Sequence, residues 1–200
     1  MQDRLKQQLQ FIYEIDKVKS IIRRTRLFHV DKRENDAEHS WHICMMALVL
    51  KEYADDEIDI LKVIKMLLIH DLVEIDTGDI IVYSKTQVHV EAEEKAAKRI
   101  FGLLPDGQGD EYYNMWVEFE DQKTAEARFA MTLDRMEPIL QCLYRGGEDW
   151  RINGIPYEKV IKTNSKVANG SKHLWDYVKS EIGQCNTNGG FKDEKIISEH

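Results

Sequence analysis

Leu67-Leu68-Ile69-His70-Asp71-Leu72-Val73-Glu74-Ile75-Asp76-Thr77-Gly78-Asp79 runs from an apolar stretch into a crowd of ionisable residues. Upstream, Ile60, Leu61, Val63, Ile64 and Met66 carry apolar character to nearly every side of a helix, the pattern of a buried one. The pair His70-Asp71 then falls at the inner end of a core helix, where ionisable groups are costly unless paired or metal-bound. A histidine and several acids this close to a buried helix predict a bound cation.

Two other segments supply its partners. Glu38-His39-Ser40-Trp41-His42 stands just inside another helix start, and Asp134 lies in the apolar helical pattern Ala130-Met131-Thr132-Leu133-Asp134-Arg135-Met136. His39, His70, Asp71 and Asp134 make a set of two imidazoles and two carboxylates. That donor set suits Mn2+, Co2+, Fe2+ or Zn2+, and Mg2+ more weakly. It leaves one or two coordination positions for water or substrate. An ion there acts as a Lewis acid and lowers the pKa of bound water. Its ligands must be neutral His and ionised Asp, so acid is expected to abolish binding.

A lone His-Asp pair carries little information. The chain also contains Arg24-Thr25, Glu38-His39-Ser40, His70-Asp71-x-x-Glu74, Thr77-Gly78-Asp79, Glu126-Ala127-Arg128-Phe129-Ala130 and Leu133-Asp134-Arg135. On these motifs it resembles the HD-domain metal-dependent phosphohydrolases, and within them the 5′-deoxyribonucleotidase branch, over residues 5–182. The resemblance implies an all-α, single HD-domain helical bundle. It also implies a divalent-metal phosphohydrolase acting on small phosphomonoesters, foremost (deoxy)nucleoside 5′-monophosphates, and a homodimer. Two other functions stay open. One is an HD-type phosphodiesterase or guanosine tetraphosphate hydrolase. The other is a non-catalytic binding module that the metal merely staples.

Glu74 lies one helical step beyond Asp71 and can act as general base or acid on the attacking water or the leaving oxygen. The residue matching it in the resembled family is catalytic. Gly78 allows a sharp turn, so Thr77-Gly78-Asp79 can return the Asp79 carboxylate toward Glu74. The two acids could share proton work near Asp71, or hold a second divalent ion with the Ile80 carbonyl; the resemblance allows both. Arg24, fifteen residues before His39, matches the family's phosphate-binding arginine, and a guanidinium fork suits a phosphate dianion. The aromatic that parts of the family carry beside it is missing from Thr25-Arg26-Leu27. Thr25, Thr77 and His29 complete the predicted substrate-binding set. Arg23 and Arg26 are weaker candidates, more simply read as solvated loop cations. His42 reads as a core histidine, and Tyr112, Tyr113 and Trp116 as packing or dimer surface. The Trp150-x-x-x-Gly154 segment, Asn164 and Asn169-Gly170-Ser171 receive no chemistry.

The 200 residues suffice for one domain with a sizeable core. Residues 1–184 read as that domain and 185–200 as a flexible, solvated tail. With a net charge of −8 and no basic stripe, duplex nucleic acid is excluded as a partner. No run is apolar enough to span a membrane, and the N-terminus lacks a signal-like apolar region. Three cysteines without paired spacing suit a reducing compartment, so the cytoplasm is expected. The periodicity predicts seven to nine helices, a basic loop over Arg23–Arg33 and an irregular loop over Thr77–Val88. Asn35 or Asp36, Asp59, Thr124 and Ser171 are the predicted helix caps.

Overall fold

Apolar residues recur at helical spacing along most of the chain, and helices account for most of it. The computed structural model describes residues 2–80 and 86–191. In order these form α1 (Gln2–Ile15), β1 (Ile22–Arg26), β2 (Arg33–Asn35), α2 (Asp36–Leu50), α3 (Ile60–Ile69), α4 (Glu74–Thr77) and α5 (Gln87–Phe101). There follow α6 (Gln108–Asp121), α7 (Ala125–Tyr144), α8 (Glu148–Ile152), α9 (Tyr157–Asn164) and α10 (Lys172–Thr187). Eight of the helices have eight residues or more, and α4 and α8 are single turns. The class is all-α, with one small antiparallel hairpin.

The caps fix where the site-bearing helices begin. Asn35 accepts from the Glu38 N–H while the Glu38 side chain reaches back to the Asn35 N–H, a capping box worth about 1 kcal/mol. Asp59, Thr124 and Ser171 cap α3, α7 and α10 by accepting from first-turn N–H groups, without the reciprocal bond. α7 is the central helix and packs against α2, α3, α6 and α10. Its apolar residues Phe129, Leu133 and Met136 join Ile43, Val63 and Met66 in the larger core cluster. A second cluster sets Phe11 of α1 against Ile69, Ile100, Phe101 and Trp116. Each such side chain contributes roughly 1.5–3 kcal/mol when fully buried. The turn before α10 closes tightly on α7, since a Cβ at Gly170 would meet the Arg128 backbone at 2.5 Å.

Four sequence expectations need correction. The basic segment 23–33 is not wholly loop: β1 pairs with β2, Ile22 opposite Asn35 and Arg26 opposite Arg33. Its strands escape notice because Arg-Arg-Thr-Arg has no apolar alternation. α3 is not buried all round, for Leu61 and Leu68 are 58% and 52% exposed. The expected tail from residue 185 is helical to Thr187, and Phe191 is buried, its ring stacked on Trp150. The 3-10 turn His70–Val73 follows α3, so the helix ends one residue short of the His-Asp pair. Residues 81–85, within the segment read as loop, lie outside the described residues, as do residues 1 and 192–200.

Candidate active site

The α2 capping box puts Asp36 in the first turn and His39 one turn later, both fully buried. Where α3 tightens into its 3-10 turn, His70 Nδ1 lies 2.9 Å from the Leu67 carbonyl. A carbonyl only accepts, so Nδ1 carries the proton and Nε2 is left for the cluster. Asp134 comes from the middle of α7.

These elements bring the four sequence-derived ligands together. His39 Nε2 and His70 Nε2 lie 3.1 and 3.4 Å from Asp134 Oδ1, and His70 Nε2 lies 3.1 Å from Asp71 Oδ2. Donors bound to one ion at 2.0–2.2 Å stand about 3 Å apart, so the separations fit a single divalent cation. His70 Nε2 is buried and has no hydrogen bond among the described residues, as a nitrogen reserved for a metal would be. Spacing and free nitrogen alike fit a bound divalent cation.

Protons take the cation's place in the metal-free electrostatics. Burial works against an imidazolium at His70, but the nearby charges of Asp71 and Asp134 overcome it and push its pKa up to about 10. His39 is raised in the same way, against burial and Arg23, by Asp134 and Glu137. Burial opposes ionisation of Asp71 and Asp134 too, yet the histidines hold both carboxyls well below the usual range. Glu74 shows the reverse: burial, then the Asp71 and Asp36 charges, push it up to about 11. Burial and Asp71 raise Asp36 to about 7, and burial raises Asp79 despite Arg23.

Arg23 is not a solvated loop cation. Its Nη1 lies 2.6 Å from Asp71 Oδ2 and 3.4 Å from Asp36 Oδ1, and its Nε lies 3.6 Å from Glu34 Oε2. Arg26 is also paired, with Glu148 and Asp149. His42 is not a core histidine: it is partly exposed and binds Glu137 at 3.1 Å. Glu137 also lies 3.2 Å from His39 Nδ1, orienting that ring from behind. Gln141 donates to both Glu137 and Glu34, tying the buried network to β2. Sequence reading missed Glu34, Asp36 and Glu137 as site residues and ranked Arg23 only as a weaker candidate. Two signals were available: Asp36 stands one turn before His39, and Glu137 one turn after Asp134.

The cluster opens into a cavity of about 260 Å³, near the lower end of small-molecule sites. Arg24, Thr25, Glu74, Asp79 and Ile80 line it with His70, Asp71 and Asp134. Two predicted substrate contacts are not there. Thr77 turns its hydroxyl to the Val73 carbonyl, and His29 lies outside the cavity lining, bonded to the Tyr144 hydroxyl at 3.0 Å. Gly78 takes φ 72°, making the sharp turn that Asp79 needs to join the lining. Asp36, Asp71 and Glu74 form a further oxygen-rich group capable of holding a cation.

A model of the HD domain family matches residues 15–175. The human protein 5′-deoxynucleotidase HDDC2 is 34% identical over 137 residues, 66% of this chain and 65% of that protein. The match thus spans just under two thirds of that relative. The Dictyostelium discoideum 5′-deoxynucleotidase HDDC2 is 34% identical over 66% of this chain and 74% of its own length. A crystal structure from Magnetospirillum magnetotacticum, described as a predicted metal-dependent phosphohydrolase, superposes with TM-score 0.90 and 45% identity. It covers 95% of this chain and 96% of that one.

Proposed function

The chain belongs to the HD domain family, and on that premise we propose that it is a divalent-metal-dependent phosphohydrolase of (deoxy)nucleoside 5′-monophosphates. The observation that carries the reading is the convergence of His39, His70, Asp71 and Asp134, the last three lining one cavity with Glu74, a carboxyl pushed up to about 11. The substrate class comes from the curated 5′-deoxynucleotidases that the chain resembles.

His39, His70, Asp71 and Asp134 would hold the ion, Mn2+, Co2+, Fe2+, Zn2+ or Mg2+ by donor type. Bound there, it supplies Lewis acidity to a phosphoryl oxygen and to water. The remaining work falls to side chains. Arg24 lines the cavity exposed, near enough for its charge to favour an ionised Asp79, and is the phosphate clamp. Arg23, pinned by Asp71 and Asp36, adds fixed positive charge where charge develops in phosphoryl transfer. Glu74 carries a proton that the leaving 5′-oxygen needs, and Asp79 faces the same cavity to share that proton or help hold a second ion with the Ile80 carbonyl. Thr25, whose buried hydroxyl has no partner among the described residues, completes the substrate contacts.

The protein works on a small molecule, in the cytoplasm and as a homodimer. Its three cysteines are free, which suits a reducing compartment. Trp41, Met45, Leu48 and Val49 give α2 an exposed apolar face available to a second copy.

Phosphate release from a panel of ribo- and deoxyribonucleoside 5′-monophosphates, after EDTA treatment and re-addition of each metal, tests the proposal. Metal-restored release, faster from the deoxy set, is expected. Release from cyclic nucleotides or guanosine tetraphosphate alone would replace the substrate class, and none from any phosphoester would leave the metal-stapled module. Glu74→Gln is expected to keep bound metal while phosphate release falls by about 10²–10⁴-fold.

A further inference from the structure

The cavity extends beyond the groups that the proposed chemistry uses. Asp134, Arg135, Pro138, Ile139 and Cys142 line it along one face of α7. At 1.5 Å per residue, Asp134 and Cys142 stand about 12 Å apart along the helix, leaving room beside the cluster for far more than a phosphate. Asp149, Trp150, Asn153 and Ile155 supply the other wall, from α8 and the turn after it. Gly146 and Gly147, both at positive φ, reverse the chain to bring α8 back against α7. Trp150 is fixed there by its stack on Phe191, with ring centroids 5.0 Å apart.

Two polar groups in this arm lack matches among the described residues. Arg135 has Nε and Nη1 buried without a hydrogen-bond partner, and no ion pair is recorded for it. Asp149 has Oδ2 buried and unmatched, while its Oδ1 faces Arg26 at 3.4 Å. Buried donors and acceptors are costly to leave unmade, and such groups recur where a ligand completes them. The walls between them, Ile139, Trp150 and Ile155, are apolar and suit a flat ring.

We propose that this arm is the nucleoside pocket, in which Arg135 donates to an acceptor on the base, Asp149 accepts from a donor on it, and Ile139, Trp150 and Ile155 enclose the ring. The substrate is thereby a phosphomonoester whose base presents both a donor and an acceptor, and Arg135 and Asp149 determine specificity without touching the phosphorus. The inference rests on the nucleotidase reading and deepens it.

The test compares wild type with Asp149→Asn, Arg135→Gln and Arg135→Lys on deoxynucleoside 5′-monophosphates and on 2-deoxyribose 5-phosphate, which lacks a base. KM for the nucleotides should rise about tenfold or more. Turnover of the base-free ester should stay within about twofold, and Arg135→Lys should not restore the lost nucleotide affinity, because it lacks the planar fork. Equal losses on both substrates, or an unchanged nucleotide KM, would overturn the assignment. Melting of the metal-stripped protein with phosphate-free deoxynucleosides supplies a second readout. An upward shift in wild type that Asp149→Asn removes upholds the pocket, and no shift in wild type overturns it. If wild type releases no phosphate from any nucleotide, the nucleotidase reading fails, and this melting shift alone decides the pocket in the same two directions.

Discussion

The two ends of the cavity differ in how their charged groups are partnered. At the inner end, ionisable groups crowd together and match one another: Asp134 meets both histidines, Asp71 meets His70 and Arg23, and Glu137 meets His39 and His42. Buried polar atoms stay unmatched at both ends, His70 Nε2 and Glu74 Oε2 in the inner one, Arg135 Nε and Asp149 Oδ2 in the outer arm, but only the inner end is knit together by ion pairs among its own residues. The inner end thus holds its geometry in the absence of ligand, while the outer arm is completed by one. Mutually paired charges where charge develops, and polar groups left for a ligand where selection occurs, is a sensible division for an enzyme that must discriminate among esters of one type.

The sharpest way to break this contrast is Asp134→Ala. It removes the carboxylate shared by His39 and His70, so metal binding and phosphate release should both fall below detection, measured by metal analysis and phosphate assay. The outer arm should still bind a deoxynucleoside. If the variant loses nucleoside binding as well, the two ends are one unit.

Glu137→Gln grades the inner end more finely. The carboxylate behind His39 lies at pKa about 2, lowered against burial by its histidine partners, so it is an anion supporting the ring. Its loss should weaken metal affinity by about 10–100-fold, read by competition with a chelator, with a smaller change in nucleotide KM at saturating metal.

Alkali should distinguish the ends through stability. In the metal-free fold His70 titrates near 10 and Glu74 near 11, both above their unfolded values. Between pH 7 and 10 the folded chain therefore binds more protons than the unfolded one, and stability falls as pH rises. The contribution of His70 is fully present below about 6.5 and lost through about 10. Thermal melting of the stripped protein should drop across this window. Metal affinity should rise over its lower part, because the ligands must shed protons. At the acid end the signs reverse: Asp71 and Asp134, depressed in the fold, lose their stabilisation as pH falls below about 4.

The smallest effect is expected from Asn35→Ala. Loss of the α2 cap should cost about 1 kcal/mol, or roughly 2–4 °C in melting midpoint, while outer-arm binding is untouched.

The inner end was legible in sequence because its residue types are rare in apolar helical runs. Asp134 interrupts one, His70 and Asp71 end another, His39 stands at the start of a third helix, and Glu74 and Asp79 follow in a turn that Gly78 makes readable. The outer arm was not, since Arg135, Asp149 and Asn153 are ordinary surface types until Gly146 and Gly147 fold α8 onto α7. Arg23 and Arg24 show the limit most clearly. Adjacent in sequence and identical in type, they differ because the β1–β2 hairpin carries Arg23 to Asp71 and leaves Arg24 exposed in the cavity lining. The hairpin itself gave no apolar period. Likewise Phe191 was a single aromatic in a Gly- and Asn-rich stretch, and only its stack on Trp150 shows that this stretch belongs to the core.

The most direct test titrates Mn2+ back into the EDTA-stripped protein, with bound metal and phosphate release from a deoxynucleoside 5′-monophosphate measured on the same samples. Release should be absent at the start, rise in step with the ion bound, and never appear in Asp134→Ala. Release from the fully stripped protein, or full metal occupancy with no release from any 5′-monophosphate, would contradict the account.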